Sequence, residues 1–386
     1  MFAINYENCT GCGACVQRCP RQCISWTTKE FDFRYPQVDE AICINCGLCE
    51  KVCPINKELK TPTAQKAYAA VHKDSSILEK STSGGAFTAL ADTIFSQGGV
   101  VYGAAMLNDM QVKHIRTENR TAFAELRSSK YLQSDTGTTY QMVEQDLKQG
   151  RVVLYSGTPC QIDGLKCFLR KEYENLYTAD IVCHGVGSQA YFDKYMEFAK
   201  ERYGKIKVLR FRSKEYAGWS CGGGVVVVGT SNSEKKIPYR DFDNYYYSYF
   251  LSGDIYRKCC YSCKYANTKR VGDFSLGDYW GVEALNLPLQ TENGCSLLLV
   301  NNERAEKLLE TIVDLDKVET TIEQAAHCNK QLNEPSRLPE SRQKRIEEYE
   351  SMSGQQIQKV YLKTHRKTVV KGKLKALMPY KLNRIL

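Results

Sequence analysis

Nothing in this sequence approaches the run of roughly 18 apolar residues that a membrane-spanning helix needs, and Met1 to Asn5 carry no basic segment leading into an apolar one. The first absence argues against a protein embedded in a bilayer and the second against secretion, so a cytoplasmic chain is expected. Acidic residues are missing from one whole region. None follows Glu350, where Lys359, Lys363, Arg366, Lys367, Lys371, Lys373, Lys375, Lys381 and Arg384 all fall. These nine cations equal the formal net charge of +9, which leaves 44 Lys plus Arg against 44 Asp plus Glu in residues 1–350. The body is neutral and the tail is basic. What is abundant is cysteine, 18 in 386 residues, with nine before residue 54. A reducing compartment disfavours disulfides, and clustered thiols there point to metal. With 42% hydrophobic residues the chain can bury a large core and should divide into about two or three domains.

Eight of these nine early cysteines fall into two runs of one pattern. Cys9, Cys12, Cys15 and Cys19, followed by Pro20, have the spacing C-x-x-C-x-x-C-x-x-x-C-P, and Cys43, Cys46, Cys49 and Cys53, followed by Pro54, repeat it without change. Soft thiolates suit iron–sulfur clusters, and the interspersed glycines let backbone amides approach a cluster's sulfurs. A zinc ribbon also uses paired C-x-x-C units, but a tetrahedral ion wants four ligands and leaves the third cysteine of each run unexplained. The segment resembles the bacterial two-cluster ferredoxin. That resemblance implies a domain over residues 1–60 holding two [4Fe-4S] clusters, one on Cys9, Cys12, Cys15 and Cys53 and the other on Cys43, Cys46, Cys49 and Cys19. Each filled site adds about two negative charges to the neutral body. Cys23 falls outside the pattern and reads as a buried or incidental thiol. Ile24 to Thr27 and Tyr35 to Asp39 read as a short hairpin between the runs.

A linker near Leu59 to Pro62 leads into a second region, 63–335. Strands are expected at 67–72, 99–105 and 151–156, and helices from Ala86, with Leu90, Ala91 and Ile94 on its apolar face, and over 138–149. Strand alternating with helix implies an α/β body with a mostly parallel sheet covered on both faces. Two strand ends carry unusual residues. One runs through Gly157 and Thr158 into Pro159, the expected first position of a helix, which puts Cys160 at a helix amino terminus where the partial positive charge favours thiolate. The other runs into Cys183, His184, Gly185 and Gly187 before a further helix. Such carboxyl ends form the ligand crevice of open α/β sheets. Cys260 and Cys263 add one more C-x-x-C unit, ahead of Asp273 and Asp278.

Ser83 to Thr88, Ser156 to Gln161, Val182 to Ser188, Cys260 to Cys263 and Leu276 to Gly281 occur in an order that resembles the beta subunit family of coenzyme F420 hydrogenase and dehydrogenase, over residues 1 to about 300. The resemblance implies an iron–sulfur flavoprotein in which FAD links one-electron clusters to a hydride-accepting substrate. It points to the turns at Ser83, Gly84 and Gly85 and at Gly157 and Thr158 for the FAD pyrophosphate, since both offer backbone amides at a helix start. Ordinary helix capping explains either turn equally well. Cys160, Cys183, Cys260 and Cys263 suggest a third cluster, against the alternatives of buried thiols or a flavin-side redox pair. His184 and Cys160 are the candidates for a catalytic role, His184 as a proton donor; a loop hydrogen bond is the plainer reading of the histidine. Asp273 and Asp278 contact a sugar hydroxyl or cap turns. Cys167, Cys221, Cys295 and Cys328 lack partners in the sequence. Lys214, Trp219 and Tyr245 to Tyr247 shape a pocket or pack.

Residues 302–330 read as one or two helices, and 341–349 as a solvated helix of mixed charge. The remaining tail, grouped as 340–386, interleaves Val370, Leu374, Leu377 and Met378 with lysines before Pro379. Such a basic amphipathic helix suits an anionic membrane face or an acidic partner, and a flexible tail is the alternative. No nucleic-acid reading motif accompanies the charge. The expectation is therefore an oxidoreductase fed by ferredoxin or another redox protein, acting on a small molecule, cytoplasmic with a peripheral contact at the inner membrane face. An electron-transfer subunit and an iron–sulfur sensor are the rivals.

Overall fold

A computed structural model describes residues 5–58, 63–219, 222–230 and 233–376. The expected linker residues Leu59 to Pro62, Cys221, and the tail positions Leu377, Met378, Pro379, Lys381 and Arg384 lie outside them.

The amino-terminal module is built on an antiparallel hairpin, β1 (Ile24–Lys29) with β2 (Phe33–Val38), between the two cysteine runs. The body carries β3 (Lys66–His72), β4 (Val100–Met106), β5 (Val112–Thr117), β6 (Val153–Gly157) and β7 (Leu176–Ile181), then a small antiparallel sheet of β8 (Ile206–Arg210), β9 (Gly223–Thr230) and β10 (Ser233–Arg240), then β11 (Phe274–Asp278), β12 (Ser296–Val300) and β13 (Leu315–Thr320). The large sheet has the order β13-β3-β12-β11-β7-β6-β4-β5. Its centre, β11-β7-β6-β4, is parallel throughout, and five of the eight strands run one way. The sheet is therefore mostly parallel, as expected.

Strands covered on both faces read as continuous apolar runs, and Val153, Leu154 and Tyr155 show why. Leu154 and Val101 pack under the helix Ala86–Ser96, while Val153, Tyr155 and Tyr102 meet Tyr140, Val143, Ile162 and Leu165 on the opposite face. Ala86, Leu90, Ala91 and Ile94 are all buried, and burying each larger side chain contributes about 1.5–3 kcal/mol. With the parallel strands aligned, Gly157, Ile181 and Asp278 end along one edge. The functional residues gather there.

Three expectations change. Residues 302–330 are not wholly helical: β13 lies between the helices Glu303–Glu310 and Ile322–His327. Its polar alternation hides it in the sequence, and pairing with β3 at the sheet edge creates it. The helix Arg342–Ser351 is solvated on one face only, where Lys344, Glu347 and Glu350 are exposed; its other charges are paired and buried, Arg345 with Glu348 at 2.5 Å and Arg342 with Glu30 of the amino-terminal module at 2.8 Å. The tail is not loose over its described part. Ile346, Ile357, Tyr361 and Val369 share a core with Phe31, Phe33 and Tyr35 of the hairpin. Tyr245, Tyr246 and Tyr247 lie buried in the same core, so that run packs.

Candidate functional site

Each cysteine run bends on two left-handed residues at equivalent places: Gly11 (φ 66°) and Gly13 (φ 81°) in the first, Asn45 (φ 51°) and Gly47 (φ 68°) in the second. A short helix follows each, Ala14–Arg18 and Leu48–Lys51. The chain thereby crosses over. Cys9, Cys12, Cys15 and Cys53 line one cavity of about 30 Å³, and Cys19, Cys43, Cys46 and Cys49 line another of about 120 Å³. These are the two sets that the ferredoxin resemblance implied. The first cavity is an inner one, with Cys12 and Cys15 buried; Cys46 of the second is exposed. Cys23 is buried at the outer cavity, its sulfur 3.3 Å from that of Cys19.

The inner loop is gripped by the body. Gln133 donates to the carbonyl of Thr10 at 2.8 Å, Thr136 donates to that of Cys12 at 3.0 Å, and Arg257 donates to that of Cys9 at 2.7 Å. Cys12 also packs directly on the helix Pro159–Leu169, where a Cβ added to Gly164 would lie 2.9 Å from its sulfur.

On the far side of that wall lies a third cavity of about 260 Å³, and it contains Cys160, Cys183, Cys260 and Cys263. The four thiols of the suggested third site are thus brought together, with a fifth, Cys259, beside them. Thr10 and Ile55 line both this cavity and the inner one. The hydroxyl of Thr10 is buried without a hydrogen-bond partner, a donor suited to a cluster sulfur at this shared wall. Arg270 assembles the site's walls: it pairs with Asp180 and donates to Ile181 and to Tyr265, each at 3.0 Å, which ties the end of β7 to the chain just after Cys263. Helix position does not make Cys160 a free thiolate. Burial pushes its thiol up to about 12, with the Thr158 hydroxyl acting the other way, so the expected dipole effect is outweighed and ligation suits this residue better than nucleophilic attack. Burial raises the Cys183 thiol, and the residue lies in the connection between β7 and the helix Gln189–Tyr203 rather than at a helix start.

His184 is an exposed residue on the rim between this cavity and a larger one of about 450 Å³. Crowding by protein lowers its proton affinity, Asp278 opposing, and its carbonyl accepts from Ser336 at 2.6 Å. Asp273 is structural, accepting from the backbone and hydroxyl of Thr178 at 2.7 Å each. Asp278 pairs with Arg212 and accepts from Trp219 at 2.8 Å; Trp219 stacks on Trp280.

The two glycine-bearing turns are committed to the protein's own packing. Ser83 donates to Cys295 at 2.7 Å, and a Cβ on Gly84 would lie 2.1 Å from the Ala70 carbonyl. Gly85 is left-handed (φ 89°). Gly157 abuts Gln161, whose side chain completes a capping box with Thr158. The amides of Gly84 and Thr158 donate to the side chains of Ser296 at 2.9 Å and Gln161 at 3.1 Å. Cations stand near the first turn. Lys214 donates to Ser83 and Leu78, and Arg127 is held below its usual basicity by burial and by the nearby Arg210. Sequence reasoning missed Thr10, Arg127, Arg257, Cys259 and Arg270; no spacing signal marks them.

Residues 150–325 match the family model for the C terminus of the coenzyme F420 hydrogenase/dehydrogenase beta subunit, and residues 8–57 match the 4Fe-4S dicluster domain. The chain is thus like the coenzyme F420 hydrogenase/dehydrogenase beta subunit over its carboxyl-terminal match and carries a 4Fe-4S dicluster domain ahead of it, which makes it an iron–sulfur protein. It is 28% identical over 162 residues to the coenzyme F420-dependent sulfite reductase of Methanocaldococcus jannaschii, covering 41% of this chain and 24% of that protein's length. It is 36% identical over 73 residues to a 7Fe ferredoxin of Hydrogenibacillus schlegelii, covering 18% of this chain and 87% of the ferredoxin. A chain of the F420-reducing [NiFe] hydrogenase complex from Methanosarcina barkeri aligns over 82% of this chain and 94% of its own, at 14% identity and a TM-score of 0.44. No helix among the described residues is long and apolar enough to cross a membrane.

Proposed function

We propose that this protein is an oxidoreductase that takes electrons from ferredoxin or another low-potential redox protein through two [4Fe-4S] clusters to FAD, and from there to a small molecule in the sheet-edge crevice. The observation that carries this reading is the set of three thiol-lined cavities, two of which share Thr10 and Ile55 in their linings. Cys46 opens the outer end to a donor. Cys160, Cys183, Cys260 and Cys263 hold a third cluster at the inner end, as four thiolates suit a cubane. Bound FAD supplies the conversion between one-electron and two-electron chemistry. Arg127, Arg210 and Lys214 neutralise its pyrophosphate beside the Ser81 to Gly85 turn, and His184, its proton affinity lowered by the surrounding protein, exchanges a proton on the rim.

Iron, sulfide and flavin are to be measured on anaerobically purified protein. About eight iron with one FAD supports the two-cluster flavoenzyme and about 12 iron adds the third site; about eight iron without flavin turns the reading to a bare carrier or sensor. A second reading, an electron-transfer subunit acting for another chain, is favoured by the 24% share of the sulfite reductase that this chain spans. Turnover of the isolated chain with a reduced donor decides between them.

The helix Arg366–Ala376 presents Val370 and Leu374 to solvent, 50% and 58% exposed, among lysines. In this reading it rests on an anionic membrane face. Removing residues from 355 onward would also remove Ile357 and Tyr361 from the core, so the test is V370D/L374D with anionic vesicles, and unchanged binding rejects the contact.

A further inference from the structure

We propose that Arg257 is the counter-charge shared by the inner and third cavities, and that it holds the inner cluster at a higher reduction potential than the outer one, so that electrons move inward. The inference rests on reading the inner thiols as cluster ligands.

Four arginines are buried among the described residues: Arg257, Arg270, Arg342 and Arg345. Three have a carboxylate, on Asp180, Glu30 and Glu348 respectively. Arg257, only 1% exposed, has no ion pair among the described residues. Its guanidinium donates to neutral acceptors, the carbonyls of Cys9 at 2.7 Å and Arg34 at 3.0 Å and the side chain of Gln133 at 3.1 Å, and lies over the ring of Tyr35 at 4.1 Å. Neutral partners do not offset the desolvation of a buried charge.

The missing negative charge stands on both sides of it. Nη2 reaches the sulfur of Cys9 at 3.8 Å, and Arg257 lines the third cavity together with Cys259 and Cys260. Thiolates held by metal supply that charge; free thiols do not. A fixed cation in a dry site favours the more negative, reduced form of a cluster, and an N–H donated to a ligand sulfur acts in the same direction. The outer cavity has Arg21 instead, which is exposed and screened by solvent. Two cavities that differ this way cannot share one potential.

The test is an electron paramagnetic resonance titration of anaerobic holoprotein, comparing wild type with R257M and R257K, with iron content and circular dichroism on each. In R257M the equilibrium partition of an electron between the two ferredoxin clusters should move at least tenfold toward the outer one, about 59 mV for a one-electron couple. R257K should restore part of the shift, and the outer potential should stay fixed in both. If iron is retained and the partition moves less than twofold, the inference falls. If both variants lose the inner cluster, Arg257 is a structural strap and the inference falls as well. Absence of iron–sulfur signals from wild type overturns the underlying reading along with it.

Discussion

The two cysteine loops have the same spacing and the same left-handed turns, yet their surroundings differ completely. A Cβ on Gly13 would meet the Thr136 hydroxyl at 2.7 Å and one on Gly11 would meet Arg257 and Gln133 at 2.9 Å, whereas a Cβ on Gly47 would meet nothing within 4 Å. The second loop has Asn45 where the first has Gly11. One repeat has become an interface and the other has stayed a surface. Identical ligand spacing therefore fixes what the loops bind, and the neighbours decide in which direction electrons travel.

The largest expected contrast comes from the ligands themselves. Because metal-binding free energy is also folding free energy, C12S should lose the inner cluster and several kcal/mol of stability, since Cys12 also packs on Gly164. C46S should lose the outer cluster and its binding free energy, but without the added packing loss, because Cys46 is exposed. Equal losses in iron and in denaturant midpoint would erase the distinction between inner and outer loops.

Acid should act on the inner side next. His114 is 6% exposed and stacked on Tyr155; burial lowers its pKa to about 4, against opposing effects from the Ser156 carbonyl and Asp135. The folded state thus keeps the imidazole neutral where the unfolded chain, with its ordinary pKa near 6.5, takes up a proton. Its contribution is complete above pH 6.5 and is lost as pH falls toward 4, roughly 3 kcal/mol at the limit. The His114 amide donates to Asp135 at 2.8 Å, in the strap that holds the inner loop. Protection from hydrogen exchange, corrected for the intrinsic pH dependence of the amide rate, should therefore fall at residues 9–13 on acidification and stay unchanged at 43–47. A uniform response would separate His114 from the strap.

Backbone substitutions give a smaller contrast. G47A should cost about 1 kcal/mol for the left-handed conformation, and G13A about 2–3 kcal/mol because Thr136 must also move. Finding the two equal would mean that the inner loop yields freely. The least effect belongs to K258A. Its pairing with Glu7 at 2.7 Å is exposed on both sides, so the midpoint should change by no more than ~0.5 kcal/mol.

Period and spacing made the ferredoxin module, the parallel sheet centre and the Cys160 helix start legible in the sequence. These are local signals, carried by residues a few positions apart. The pieces that complete the site are not local. Arg257 reaches Cys9 across 248 positions, and Arg270 reaches Asp180 across 90; an arginine carries no mark of the cavity it will face. β13 escaped because an edge strand with few buried positions looks like loop or helix until its partner is known. The Ser83 and Thr158 turns were readable as glycine-bearing helix starts, and only packing shows that their side chains are already engaged.

The hairpin between the two cysteine runs draws part of its core from Ile346, Ile357 and Tyr361, and Glu30 awaits Arg342. On the ribosome, the hairpin emerges long before Arg342, Ile346, Ile357 and Tyr361, and its core stays incomplete until they follow. Iron and sulfide can reach an open module throughout that interval, and the docking of these later helices is what seals it.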